Sequence, residues 1–157
     1  MREAAELSVL NTNYFLKKMS GVKGFTLPYS PDKPRKHECV ISAEPMLRET
    51  GVRALDVAKR LLDHGLHAPT MYFPLIVKEA LMIEFTDTES KENIDRYVEV
   101  LKEISEEAYS DPSKVTSAPI NTAVERLDEV KASHPRTMCL SWRMYVERFK
   151  EEVGLKS

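Results

Sequence analysis

A short segment framed by two prolines carries the side chains best suited to binding chemistry. Thr70 and Tyr72 lie between these prolines, and His67 stands just before them. Because proline fixes its backbone φ angle, less entropy is lost when polar groups in such a segment are held in place. The pattern therefore predicts the wall of a binding pocket, although Tyr72 and Phe73 would serve equally well as core residues.

The other polar candidates give weaker signals. Glu84 ends an apolar segment beside a threonine-rich turn, where a solvated strand end is the simpler interpretation. His37 opens a strand, and a lone histidine there more often bonds to the backbone than catalyses. His64 and His67 have the spacing of two metal ligands on a helix, but Gly65 is expected to end that helix and no third ligand accompanies them. We therefore predict no metal site.

Motifs of the common enzyme classes are absent from the sequence. The chain has only five glycines, and none has the GxGxxG or GxxxxGK[ST] spacing that cradles a nucleotide phosphate. It has no HExxH, no GxSxG and no cysteine–histidine arrangement that indicates a nucleophilic mechanism. No catalytic residue is therefore assigned to this chain.

Composition limits the class of protein. A chain of 157 residues with 42% hydrophobic content is long enough for one domain with a real core. Its 23 basic and 25 acidic residues are interspersed, which predicts neither a nucleic-acid nor a membrane partner. Cys39 and Cys139 have no paired spacing, and residues 1–6 lack the order of a signal peptide. These features favour a soluble, cytoplasmic protein.

Apolar periodicity predicts the elements that must position the polar candidates. Predicted helices cover residues 2–19, 54–64 and 90–109, and predicted strands cover 37–42, 70–73 and 80–84. A Thr86/Glu89 capping-box spacing precedes the last of these helices. Residues 110–122 are turn-rich, and the stripe from Trp142 to Phe149 predicts a terminal helix. This order favours an α+β fold, a mainly antiparallel sheet covered by helices on one face.

We interpret residues 1–157 as a single domain. Residues 1–20 form a linking helix, 36–110 an α/β core, and 111–157 a carboxyl-terminal extension.

The first predicted helix is apolar on more than one face. Its large apolar side chains are Leu7, Val9, Leu10, Tyr14, Phe15 and Leu16. A helix at the edge of a small domain buries only one face, so the surplus predicts an interaction surface of roughly 300–600 Å². We expect it to cause weak self-association of the chain or to dock a further domain. The alternative is a helix central to its own core.

Several segments, in one colinear order from Glu3 to Ala132, resemble the carboxyl-terminal small domain of glycine dehydrogenase (decarboxylating) subunit 2, the P-protein of the glycine cleavage system. The most specific are residues 65–77, 81–84 and 86–91, together with the Asn-x-Asn-Tyr signature at 11–14. The sequence departs from this family at Phe85, where proline is usual, and at Cys39, where an aromatic or aliphatic residue is usual. The tail from Met138 onward has no counterpart that we can place.

The resemblance implies a role in a fold type I enzyme that uses pyridoxal phosphate. In that family a large domain binds the cofactor, which acts as an electron sink when glycine releases CO2, and the aminomethyl group passes to the lipoyl arm of the H-protein. The implied partners are the large pyridoxal-phosphate-binding domain, subunit 1 and the lipoyl H-protein. The small domain is expected to close over the site.

The same resemblance implies which side chains face the active site. These substrate-channel candidates are His67, Thr70, Tyr72, Glu84, Thr88 and Glu89. Neither the Schiff-base lysine nor a phosphate cradle can be carried over, so the isolated chain is expected to be inactive and to hold no cofactor alone. The alternative is a non-catalytic interaction module that reuses the small-domain fold.

Overall fold

The computed structural model describes residues 1–30, 32–134 and 141–148. Contacts divide the chain into two compact units, Met1–Glu125 and Arg126–Ser157. The first contains α1 (Arg2–Met19), β1 (Glu38–Ser42), α2 (Glu44–Thr50), α3 (Ala54–Asp63), β2 (Thr70–Met71), β3 (Ala80–Glu84), α4 (Lys91–Ser110) and α5 (Pro112–Thr116). The second contains α6 (Glu129–Ser133) and α7 (Trp142–Arg148). The expectation of a single domain over residues 1–157 stays a prediction.

The sheet has three antiparallel strands in the order β1-β3-β2. Cys39 lies opposite Ile83 in one pair of strands, and Thr70 lies opposite Met82 in the other. The two strands closest in sequence, β2 and β3, pair with each other, and β1 pairs with the other edge of β3. The predicted α+β fold with an antiparallel sheet is therefore confirmed.

The two faces of the sheet differ because successive side chains of a strand point to opposite sides. The core face carries Cys39, Ile41, Leu81 and Ile83, all buried in the apolar cluster. On the opposite face Val40 and Met82 are half-buried, while Glu38, Thr70 and Glu84 are exposed. Polar side chains are thus available where β1 begins and β3 ends.

Helix α1 is buried along only its carboxyl-terminal half. Phe15 and Met19 are 0% and 2% exposed, whereas Leu7 and Leu10 near the other end are 39% and 62% exposed. Burying one phenylalanine contributes roughly 1.5–3 kcal/mol, so Phe15 anchors the helix. The apolar surplus predicted for this helix lies in its amino-terminal half.

Helix α3 ends in a Schellman turn that directs the chain towards His67. The Gly65 amide donates to the carbonyl of Leu62 at 2.9 Å, and the Leu66 amide donates to that of Leu61 at 3.0 Å. Gly65 has a φ of 70°, a left-handed conformation that glycine adopts without steric cost. The helix ends at Asp63, one residue earlier than predicted, because this turn takes over.

Helix α4 begins at a cap that differs from the predicted one. The Ser90 hydroxyl accepts from the Asn93 amide at 3.2 Å, so Ser90 is the N-cap. The Thr86/Glu89 capping box is wrong, because residues 86–89 form a separate turn in which the Thr86 and Thr88 hydroxyls hydrogen-bond at 2.7 Å. The helix then buries one apolar stripe, as predicted.

Phe85 holds this turn against the core. Its ring centroid lies 4.9 Å from that of Phe15 and 5.6 Å from that of Tyr97. The side chain is only 6% exposed. Burial of an aromatic ring therefore anchors the position where the family resemblance led us to expect proline.

Other predicted bounds need correction. The second strand stops at Met71 rather than residue 73, because Tyr72 has a φ of 57° and leaves the extended conformation. The first strand begins at Glu38, not residue 37. The turn-rich prediction for 110–122 is wrong over Pro112–Thr116, where Asp111 caps a short helix. A helix covers Trp142–Arg148, as predicted, while Phe149 lies outside the described residues.

Within the described ranges, no helix combines the length and apolar character needed to cross a membrane.

Candidate functional site

Two clefts of the described chain have volumes of about 610 and 410 Å³. The larger of these two lies where β1 begins and β3 ends. The loop after α3, the outer face of the sheet and the first turns of α4 form its wall. Its polar lining residues are Glu38, His67, Thr70, Glu84, Glu89, Asn93, Arg96 and Tyr97. This cleft is the candidate functional site.

Four of the predicted channel residues share this cleft, namely His67, Thr70, Glu84 and Glu89. They come from separate segments: the Schellman turn delivers the first, β2 the second, the end of β3 the third, and the turn before α4 the last. The fold thus brings together side chains that are 22 residues apart in the sequence, from His67 to Glu89. Glu89 is further oriented because its Oε2 accepts from Asn93 Nδ2 at 3.0 Å.

The other two predicted residues are not among the cleft-lining residues of the described chain. Burial raises the pKa of the Tyr72 hydroxyl, and the negative charge of Glu79 adds to the effect. A hydrogen bond with the backbone of Leu55 acts in the opposite direction on this pKa, and it places the hydroxyl beside the start of α3. The Thr88 hydroxyl is paired with Thr86. A channel role for Tyr72 and Thr88 stays a prediction.

Several lining residues were missed by sequence reasoning. Asn93 and Arg96 follow Glu89 by four and seven positions, the spacing of one helical face, and this signal was available. Glu38 lies directly opposite Glu84 across the two strands, which only the strand register reveals. Of these three missed residues, two are therefore readable from a helix pattern and one requires the strand register.

The electrostatics of the cleft favour a ligand that donates hydrogen bonds. Glu38, Glu84 and Glu89 supply carboxylates, and like charges directly opposite on paired strands are unfavourable unless a counter-charge is nearby. Arg96 is the lining guanidinium, and its Nη2 donates to the carbonyl of His64 at 3.1 Å. The wall can accept from amines and hydroxyls and can bind an acidic group at one point.

The Asn-x-Asn-Tyr signature fixes the turn that carries Glu89. Asn11 Nδ2 donates to the carbonyl of Thr86 at 2.9 Å and to that of Glu89 at 3.1 Å. Asn13 does the same for another loop, because its amide exchanges two bonds of 2.8 Å with the backbone of Arg35. Each asparagine therefore ties a different loop to α1.

The tyrosine of the signature ties α1 to α4. The Tyr14 hydroxyl donates to Asp95 Oδ1 at 2.6 Å, and Lys91 Nζ donates to Asp95 Oδ2 at 2.6 Å. Lys91, then Tyr14, then Lys18 hold the pKa of the Asp95 carboxyl well below its usual range. Asp95 thus stays ionised near neutral pH and helps fix the helix that carries Arg96.

The described residues do not fit a site for pyridoxal phosphate. An internal site needs a lysine in a dry pocket and a phosphate cradle. No lysine lines the larger cleft, and none of the described lysines is buried. A smaller cleft of about 410 Å³ includes Lys17 and Lys33, but both side chains are exposed. Likewise, the described chain contains no cluster of three histidine, cysteine or acidic residues suited to a metal.

Comparison with known proteins identifies the family. A family model described as "Glycine dehydrogenase, C-terminal domain" matches residues 4–127. The chain is 58% identical over 154 residues to a probable glycine dehydrogenase (decarboxylating) subunit 2 of Aeropyrum pernix, which covers 98% of the chain and 30% of the relative. It is 61% identical over 156 residues to the protein of the same name from Thermococcus onnurineus, and this alignment covers 99% of the chain and 30% of the relative.

A third relative, from Staphylothermus marinus, bears the same name and is 53% identical over 148 residues, covering 94% of the chain and 28% of the relative. The chain thus spans less than a third of these relatives. The alignments with the first two extend over 98% and 99% of the chain, so the expectation that the tail from Met138 lacks a counterpart is wrong. The family model and these relatives show that the chain belongs to the glycine dehydrogenase family and corresponds to the carboxyl-terminal domain of subunit 2.

Proposed function

We propose that this chain acts as the carboxyl-terminal domain of an enzyme that releases CO2 from glycine and transfers the aminomethyl group to the lipoyl H-protein. The observation that carries the proposal is the convergence of His67, Thr70, Glu84 and Glu89 in one cleft, within the region that matches the family. Pyridoxal phosphate, held by the rest of the enzyme, would supply the electron sink when bound. The large domain and subunit 1 are the proposed partners.

The cleft residues would act as a polar wall of the substrate channel. Glu84 and Glu89 accept hydrogen bonds, and Arg96 donates them, so the wall can orient a polar group that enters the cleft. The turn that carries Glu89 is already fixed by Asn11, which reduces the reorganisation needed on binding. Closing this wall against a second domain would exclude water from the space between them.

An interaction module without catalysis is the second candidate. It is favoured by the exposed amino-terminal half of α1, where Leu7 and Leu10 are 39% and 62% exposed. In this case the chain would bind a partner and its cleft residues would have no effect on glycine turnover.

The two candidates are separated by a cleft variant in the assembled enzyme. A chimaera in which this chain replaces the matching segment of the Aeropyrum pernix relative is combined with subunit 1 and the H-protein. We expect His67→Ala to lower glycine decarboxylation about tenfold or more, as loss of a positioned polar group does. Its melting temperature should change little, because His67 is exposed.

The matched control is Glu106→Gln, an exposed position of α4 that does not line the cleft. It should leave both activity and melting temperature unchanged. Parallel losses of activity and stability in His67→Ala, or full activity of that variant, would favour the interaction module.

A further inference from the structure

The loop between β2 and β3 presents bare apolar side chains to solvent. Leu75 and Ile76 are 89% and 83% exposed, and Phe73 before them is 52% exposed. Single exposed aliphatic residues are common, but a consecutive leucine and isoleucine exposed to this degree form an apolar projection. Among the described residues, these three side chains are not part of the apolar core cluster.

Both ends of this loop are fixed by hydrogen bonds to the sheet. At its start the Tyr72 amide donates to the carbonyl of Ala80 at 2.8 Å. At its end the Ser42 hydroxyl donates to the carbonyl of Lys78 at 2.7 Å. Since residues 72 and 80 are joined across the loop base, the projection is held on a closed backbone rather than on a free segment.

Glu79 ties the base of the loop to a second element. Its Oε2 accepts from the Ala54 amide at 2.6 Å at the start of α3, and its carbonyl accepts from the Ala43 amide at 3.0 Å. Its φ of 48° is unusual for a residue with a side chain, and these contacts hold it there. The two apolar tips are thus preorganised, so burying them would lose little conformational entropy.

We propose that the loop of residues 72–77, called the apolar loop below, docks into an apolar recess in the part of subunit 2 outside this domain. This inference rests on the proposed function. The length of the relatives supports this partner. The chain covers only 30% of the Aeropyrum pernix relative, so the other 70% supplies a large surface within one polypeptide. A second copy is a poor occupant, because a stable dimer needs about 800 Å² per partner and two aliphatic tips supply far less.

The test measures whether position 76 of the apolar loop becomes inaccessible to a thiol reagent in the whole subunit. Ile76→Cys is introduced in a Cys139→Ser background, and a maleimide labels the new thiol in the isolated chain and in the full-length chimaera. Cys39 is 2% exposed and gives a slow background rate, which the Cys139→Ser chain without the Ile76 substitution measures. We expect labelling in the chimaera to be at least tenfold slower than in the isolated chain, since a buried tip is excluded from the reagent.

Unfolding both proteins in denaturant should equalise the two rates, which shows that the thiol itself is reactive. Equal rates in the folded proteins, with a chimaera that decarboxylates glycine, would overturn the apolar loop as a docking element and leave the proposed function intact. An inactive chimaera would count against the proposed function as well. Labelling that slows with concentration in the isolated chain would assign the loop to a second copy and overturn the inference.

Discussion

Replacing Asn11 by alanine should loosen one turn of the candidate site by a predictable amount. The change removes the bonds to the carbonyls of Thr86 and Glu89, at 2.9 and 3.1 Å. A neutral hydrogen bond contributes about 1 kcal/mol net, and water can replace part of it here, so we expect a loss of about 1–2 kcal/mol. For a domain of this size that lowers the melting temperature by roughly 2–8 °C.

The same loss should appear locally in hydrogen exchange. The Glu89 amide donates to the carbonyl of Thr86 at 3.2 Å within the turn that Asn11 holds. If the turn opens more easily by 1–2 kcal/mol, the Glu89 amide should exchange about 5–30 times faster.

The matched control is Asn13→Ala, which removes two bonds of 2.8 Å to the backbone of Arg35 instead. This variant should lose at least as much stability, because it removes two hydrogen bonds to a loop and also the bond of 2.7 Å from Asn13 Nδ2 to the carbonyl of Val9 in its own helix. Its Glu89 amide should exchange at the parent rate. An unchanged Glu89 rate in Asn11→Ala, or equal acceleration in both variants, would refute the assignment of Asn11 to this turn.

Three further outcomes are expected. Arg60→Ala should destabilise the fold by about 1.5–3 kcal/mol in urea unfolding, because Arg60 donates to both carboxylate oxygens of Glu107 at 2.9 and 2.7 Å and to Asp63 at 3.2 Å; a loss below about 1 kcal/mol would contradict this. Asp95 has a pKa below the usual 3.8 in the folded chain, so its contribution is present above that value and is lost as the pH falls towards the folded pKa. Asp95→Asn should therefore flatten the dependence of melting temperature on pH below about pH 4, and an unchanged acid profile would count against it. Leu10 is 62% exposed, so Leu10→Glu should abolish self-association in sedimentation without changing the melting temperature, whereas retained association would exclude this face.

The two long helices were predictable because their apolar residues repeat over many turns. The predicted bounds 2–19 and 90–109 agree with Arg2–Met19 and Lys91–Ser110 to within one residue. A stripe such as Ile94, Val98 and Leu101 recurs often enough to define one buried face. The ends were also encoded, since Ser90 is a favourable N-cap.

Shorter elements were not predictable from periodicity. Helices Glu44–Thr50 and Pro112–Thr116 make only one or two turns, so no stripe develops. Both have proline in the first turn, which is favourable there but suggests a loop when no stripe follows. The short second strand depends on the positive φ of Tyr72, which its residue type does not predict.

The candidate site was predictable only in part. His67 and Thr70 were selected from the proline-framed segment and Glu89 through the family resemblance, which also favoured Glu84, and the fold places all four in one cleft. Glu38 was missed because its position opposite Glu84 depends on how two strands that are separated by 37 intervening residues pair with each other. Non-local pairing of this kind leaves no pattern in either strand alone.

We propose that this chain completes a glycine-decarboxylating enzyme, and one exchange reaction tests that role. The most direct measurement is the exchange of labelled bicarbonate into the carboxyl group of glycine, with the chimaera, subunit 1, the H-protein and pyridoxal phosphate present. We expect exchange with the complete set and only background with the isolated chain and cofactor, since no described lysine is buried in this chain. Exchange by the isolated chain, or a chimaera that folds and binds its partners without exchange, would show that this chain does not have the proposed role.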